Sequence, residues 1–262
     1  IPMPDRWLET PEATAKINYF ESLLAARLDE TGKIWGFKEP VTAKLLPLWQ
    51  QVFERLDVTP SYILCLRNPA STIRSFEAAY SHPPEITELL WLSRMADAIR
   101  FTDCNFLKVD YERWFTEPIV QAREVEKHLG LGHSPEEHMQ LIVEDVVDRG
   151  LVTASSSEYK FSHSLTRDLY RLLQKFDGSP GKTSELLDLS GEVVKFLSGN
   201  TAYIKSVDFI GRRLLDRERQ HEEVLKQYLK MEDDYKALLN SRSWRLTKPF
   251  RQLKSLIDSL LW

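Results

Sequence analysis

Four side chains, Arg67, Ser75, Lys38 and Glu39, have the types and spacing to do chemistry together. Arg67 closes an apolar run, Tyr62 to Leu66. An Asn-Pro turn follows, and then a helical pattern that carries Ser75 eight residues after the arginine. In an open α/β sheet the carboxyl end of a strand faces the ligand crevice, and the first turn of the next helix points unpaired N–H groups into the same space. An anion is the natural guest. Arg67 offers a planar, permanently charged fork suited to a phosphate, and Ser75, about two helical turns on, can offer a hydroxyl to the same group. Lys38-Glu39-Pro40 follows a second short apolar run, Ile34 to Phe37, which reads as a strand ending on the same crevice. There Lys38 is a candidate cation and Glu39 a candidate base. The plain alternative for Lys38 and Glu39 is one exposed ion-pairing turn, worth little energetically.

The elements that must position these residues alternate. Thr10-Pro11-Glu12 starts a helix with a capping hydroxyl and proline at the first helical position, and Gly32 ends it. Amphipathic spacing predicts a helix over 41–56, leading through Val58-Thr59-Pro60 into the strand before Arg67. Ser81-His82-Pro83-Pro84 is a break, followed by a helix over 85–101, a strand over 105–109 and a helix over 117–129. His82, next to Pro-Pro, reads as a loop residue rather than a base. Alternating strands and helices favour a parallel sheet with crossover helices. From Ser134 to Phe176 the pattern is helical, with a polar interruption over 153–164 that could loop over the crevice. Asp177-Gly178-Ser179-Pro180-Gly181 is the strongest linker signal in the chain.

The strand-end arginine with a serine eight residues later resembles the 3′-phosphate-binding segment of the sulfotransferases that use 3′-phosphoadenosine 5′-phosphosulfate (PAPS). Gly36-Phe37-Lys38-Glu39-Pro40 resembles their Lys-Asp-Pro element, Leu45 to Trp49 the helix after it, and Val109-Asp110-Tyr111-Glu112 a later Tyr-Glu/Asp strand end. The likeness runs from about Ile1 to Leu131 and is closest to bacterial members acting on carbohydrates or lipid-linked acceptors. It implies a P-loop-type parallel sheet with flanking helices, PAPS as co-substrate without a metal, and a carbohydrate or glycolipid hydroxyl as acceptor. It also implies that Arg67 and Ser75 hold the 3′-phosphate, with Lys38 and Glu39 as the catalytic pair. Val41 stands where the bacterial members often have arginine, and Asn68 where many have aspartate. A third departure is larger: no Gly/Arg/Ser/Thr-rich loop to cradle a 5′-phosphosulfate precedes Ile34. The expectation is a piece of a longer polysaccharide-assembly protein, which by itself holds half of the nucleotide site and transfers no sulfate.

Composition sets the outer limits. With 262 residues, 42% hydrophobic and 28% charged, the chain can form one good core plus an appendage. A net charge of -4 gives no overall basic field, which argues against a nucleic-acid partner. Cys65 and Cys104 show neither a disulfide framework nor metal-ligand spacing, and read as small buried apolar residues in a reducing compartment. No apolar run approaches the roughly 20 residues needed to span a bilayer, and the N-terminus has no signal-like region, so the expected location is cytoplasmic.

The last part changes character. From Val207 to Leu238 apolar residues recur at alternating spacings of three and four, a heptad repeat with polar breaks at Arg217 and His221. Such a helix is expected to pair with another, in a homo-oligomer or with a partner domain, rather than to lie flat on its own domain. Ser241 to Phe250 resembles a short Ser-Trp-Arg-Leu-Thr segment seen near the ends of bacterial polysaccharide-assembly proteins. Residues 240–262 carry five basic and one acidic side chain among apolar ones, which suits either an interfacial helix on the inner face of an anionic membrane or a terminal helix packed on the protein. The expected organisation is a sulfotransferase-like α/β domain over 1–133, a helical extension over 134–205, a coiled-coil helix over 206–241 and a basic amphipathic tail over 242–262.

Two rivals stand beside the enzyme. One is a catalytically inactive scaffold that uses the same fold and the heptad helix to hold partner enzymes, which the missing phosphate loop favours and the converging charges disfavour. The other is a nucleotide kinase, but no Gly-x-x-x-x-Gly-Lys-Ser/Thr run exists to hold a triphosphate.

Overall fold

The computed structural model describes residues 3–4, 6–31, 35–80, 83–147 and 160–241. After a 3-10 turn at Trp7–Glu9, α1 (Pro11–Thr31) begins as its sequence dictates: the Thr10 hydroxyl accepts the Ala13 N–H at 3.2 Å, and Pro11 fills the first helical position, where no N–H is needed. It packs on α2 (Thr42–Arg55), which continues across Pro47. Ile17 and Leu24 of α1 meet Leu48, Trp49 and Val52 of α2, and Phe20 stacks on Trp49 with ring centroids 4.6 Å apart. Arg55 at the end of α2 reaches back to Asn18 and Glu21 of α1, at 2.9 and 3.0 Å.

The stretch between these helices differs from expectation. Trp35–Phe37 forms no strand; Phe37 lies 4.6 Å from the Trp49 ring and 5.4 Å from Trp35, so aromatic packing on α2 holds the segment where backbone pairing was expected. Lys38 and Glu39 therefore stand before a helix and not at the end of a strand.

Two strands form a parallel pair, β1 (Ile63–Leu66) and β2 (Leu107–Asp110), with Ile63 opposite Leu107 and Leu66 opposite Asp110. The ladder extends one bond beyond each end, from Leu107 N–H to the Tyr62 carbonyl and from Tyr111 N–H to the Leu66 carbonyl. Between the strands run α3 (Pro69–Tyr80) and α4 (Pro84–Phe101), making the crossover that parallel strands require. Side chains alternate along β1: Leu64 and Leu66 enter the core, whereas Ile63 and Cys65 are exposed. Cys65 is thus not the buried residue its strand-forming neighbours suggested, because in a two-stranded sheet one face of β1 is covered and the other is not. Cys104 is buried as expected.

After β2 come α5 (Arg113–Thr116), α6 (Pro118–His128), α7 (Glu136–Val146), α8 (Ser164–Lys175), α9 (Pro180–Gly199) and α10 (Thr201–Asn240). The principal core joins Leu64 and Leu66 of β1 and Leu92 and Ile99 of α4 to Leu173 of α8 and Leu197 of α9. The helices that follow residue 134 share a core with the sheet. The segment 177–181 is a tight turn between packed helices: Gly178 takes φ +79°, and the Asp177 carboxylate accepts the Ser179 N–H at 3.0 Å and the Lys182 ammonium at 2.6 Å.

A buried carboxylate that no sequence signal marked fastens α8 to α4. Glu88, fully enclosed, accepts hydrogen bonds from the Ser162 N–H (2.9 Å), the His163 N–H (3.1 Å) and the Thr166 hydroxyl (2.7 Å). These donors flank the start of α8, where a negative charge is favoured.

Contacts divide the chain into two compact units, Ile1–Val207 and Asp208–Trp262. Among the described residues no helix is long and apolar enough to cross a membrane. His82, residues 153–159 of the loop expected over 153–164, and the basic tail over 242–262 lie outside the described residues.

Candidate functional site

The site is built from the turn after β1. Asn68 caps α3: its side-chain oxygen accepts the Ala70 N–H at 2.9 Å, and its carbonyl accepts both the N–H and the hydroxyl of Thr72, at 3.0 and 3.1 Å. The Asn68 N–H in turn donates to Glu112 Oε1 at 3.3 Å, which ties the end of β1 to the residues just past β2. Asparagine does here what an aspartate cap would do, without adding a negative charge to the turn.

Arg67 emerges beside this cap. Its guanidinium carbon lies 4.5 Å from the centroid of the Tyr111 ring, a cation–π contact, and Tyr111 is braced edge-on by Phe115 at 5.3 Å. The arginine is thereby given an orientation by β2's exit segment. Ser75 sits six residues into α3, half-buried, on a helix whose inner face is made by Pro69, Ala70 and Ile73.

Electrostatics bring a second cation to the same place. The Cys65 thiol is pushed up from its ordinary pKa, first by the protein around it and then by Glu112 and Asp110; Lys38 and Arg67 pull it the other way. Two cations and two carboxylates from three separate segments therefore bear on the charge state of one thiol in β1. Tyr170 of α8 belongs to the same neighbourhood. Its hydroxyl is pushed up to about 12 by burial, with Glu112 and Asp110 adding to the shift, and its ring meets Trp91 at 6.3 Å. Lys108 helps hold α8 there, donating to the Gln174 carbonyl at 2.8 Å while standing 3.7 Å from Asp110.

Glu39 is engaged differently. Its carboxylate accepts the Val41 N–H at 3.1 Å and its carbonyl accepts the Thr42 N–H at 2.9 Å, so it closes the turn that leads into α2. Of the four residues singled out by sequence, Arg67 and Lys38 share the field at Cys65. Ser75 rises on the helix that starts beside them, and Glu39 closes the turn next to Lys38.

Sequence reasoning placed Asp110, Tyr111 and Glu112 at a strand end on the ligand edge, and missed Cys65, Tyr170 and Gln121 as parts of this region. Gln121 of α6, fully buried, accepts the Asp110 N–H at 2.9 Å and donates to the Asp110 carbonyl at 3.0 Å. Its amide takes the place of a neighbouring strand and fixes the last residue of β2. Only the polar cluster ending β2 gave a signal in advance; Tyr170 and Gln121 look like ordinary members of amphipathic helices.

No protein-family model, no curated protein and no solved structure matches the chain. The chemistry of the strand ends must carry any functional reading by itself.

Proposed function

We propose that this chain binds the 3′-phosphate side of PAPS and takes part in sulfuryl transfer to a hydroxyl of a carbohydrate or glycolipid, as part of a larger polysaccharide-assembly protein. One observation carries the reading: Arg67 stands at the carboxyl end of β1 with its guanidinium 4.5 Å from the Tyr111 ring centroid, beside the Asn68-capped start of α3, and the charge of Lys38 is felt at neighbouring Cys65. Cations at the head of a helix favour a phosphorylated ligand.

In the reaction the acceptor oxygen forms a bond to sulfur as the bond from sulfur to the phosphate oxygen breaks, and the acceptor proton passes to a base. Adenosine 3′,5′-bisphosphate leaves. Arg67, held over Tyr111, and Ser75 take the 3′-phosphate. Lys38 faces the oxygen on which charge develops, and Glu39, once released from the Val41 N–H, is the base. The 5′-phosphosulfate requires donors beyond these four residues, so the chain alone binds the bisphosphate without transferring sulfate.

The test is calorimetric titration of adenosine 3′,5′-bisphosphate into the chain. Saturable binding that is lost in Arg67→Ala is the expected result; no heat with the unaltered chain ends the enzyme reading.

A second reading, an inactive scaffold, is favoured by the large apolar side chains that α10 exposes, among them Val224 (62%), Met231 (66%) and Tyr235 (59%). Under it the bisphosphate does not bind, and assembly through α10 is indifferent to Arg67→Ala.

A further inference from the structure

The heptad positions on α10 contain information about orientation. In the repeat set by Ile210, Arg217, Val224 and Met231 on one line and His221, Tyr228 and Tyr235 on the other, two polar residues, Arg217 and His221, fall in the first half of the seam. Both are exposed, as are Ile210, Val224, Tyr228 and Tyr235. An apolar stripe of this length, rimmed by charge and left in water, is the signature of an association surface.

We propose that α10 docks on a second copy of this chain in antiparallel orientation, with the two-fold axis passing between residues 222 and 223. A parallel dimer sets Arg217 against Arg217 and His221 against His221, two self-facing polar layers in succession. Reversing one helix removes both. Arg217 then lies opposite Tyr228 of the second copy, whose ring face can receive a guanidinium, and His221 lies opposite Val224. Ile210 meets Tyr235, so each apolar residue in the outer part of the seam has an apolar partner.

The flanking positions agree. In the antiparallel arrangement Arg213 faces Asp234 of the second copy, twice by symmetry, and Gln220 faces Gln227, an amide pair that can exchange hydrogen bonds. No like-charged flanking pair arises among these residues. Arg213 already lies over its own Phe209, 5.6 Å from guanidinium carbon to ring centroid, and a stacked guanidinium still presents its N–H edge to a carboxylate. Charge pairing of this kind selects partner and direction more than it adds strength. The inference does not depend on what the strand-end site binds.

Sedimentation equilibrium on the full chain tests the proposal, with circular dichroism to confirm that α10 stays helical in each variant. Arg213→Asp should weaken the dimer roughly tenfold by turning two attractive pairs into repulsive ones. Adding Asp234→Arg should restore it, a rescue that a parallel dimer cannot give because position 213 would then face position 218. A spin label at Lys236→Cys, in a chain carrying Cys65→Ser and retaining the buried Cys104, gives a second readout. The antiparallel dimer places the two labels about 40 Å apart along the helix, and a parallel one holds them within roughly 25 Å. A chain that stays monomeric, a heteromeric assembly only, a short label distance or a failed rescue each overturns the proposal.

Discussion

Glu88 and the carboxylates at the end of β2 show two uses of the same chemical group. Glu88 is sealed inside the protein with three donors arranged around it, so its charge is spent on holding α8 against α4. Asp110 and Glu112 stand at an edge where Lys38 and Arg67 also act and where Tyr170 is held in a raised-pKa state by burial and by their charge. The first arrangement is complete without a ligand. The second gathers opposite charges from three segments around a strand end and leaves them partly exposed to solvent. The contrast teaches that the strength of a polar network and its capacity for function are separate properties, and each can be tested without the other.

The largest expected effect is on the sealed group. Glu88→Ala leaves two backbone N–H groups and a hydroxyl without their acceptor inside the protein, and should lower the unfolding free energy by about 3 kcal/mol or more. Denaturant titration reads this directly, and bisphosphate affinity in the fraction that remains folded should be unchanged. Were Glu88→Ala to abolish binding while sparing stability, the division between the two regions would fail.

Gln121→Leu should cost less, about 1–3 kcal/mol, because it orphans one N–H and one carbonyl at Asp110. Since that residue ends β2 beside the candidate site, the variant should also loosen Tyr111 under Arg67, seen as faster amide exchange at Asp110 and Tyr111. Arg67→Ala reverses the pattern. It should weaken adenosine 3′,5′-bisphosphate binding by roughly 10- to 100-fold, the worth of a charge-assisted contact to phosphate, while stability moves by less than about 1 kcal/mol.

The smallest effect concerns pH. Glu126 is held at a pKa of about 2, against an ordinary value of 4.5, first by the Arg123 guanidinium at 2.7 Å and then by the Ser134 N–H at 2.7 Å. A folded-state pKa below the unfolded one means stabilisation that is full above pH 4.5 and is lost as the pH falls toward 2. The stability difference between the unaltered chain and Glu126→Gln should therefore be constant near neutrality and shrink across that interval. A difference that grew on acidification would show that Glu126 is not bound as described.

Much of the architecture was legible in the sequence for local reasons. Thr10-Pro11 announced α1, the apolar run before Arg67 announced β1, and Pro84 and Pro118 stand at the first positions of α4 and α6, where proline is favoured. The run over 34–37 misled because short apolar stretches read alike whether they pair as strands or pack as aromatics, and here Phe37 and Trp35 found α2. Cys65 misled because strand propensity does not say how many neighbours a strand will have. At the site, Arg67 and Lys38 could be named because charges at the ends of apolar runs are conspicuous. Glu88, Gln121 and Tyr170 could not, since their importance lies in partners 11 to 78 residues away along the chain or in a field that only folding assembles.

Gln121 has one more consequence. A parallel sheet can recruit another strand wherever its outermost backbone groups are open to water. At the C-terminal end of β2 both outward-facing groups of Asp110 are already taken by a fully buried amide, so an incoming strand would have to expel Gln121 from the interior before it could pair there. One side chain thus stoppers the sheet at that point: the C-terminal end of β2 is closed to backbone pairing.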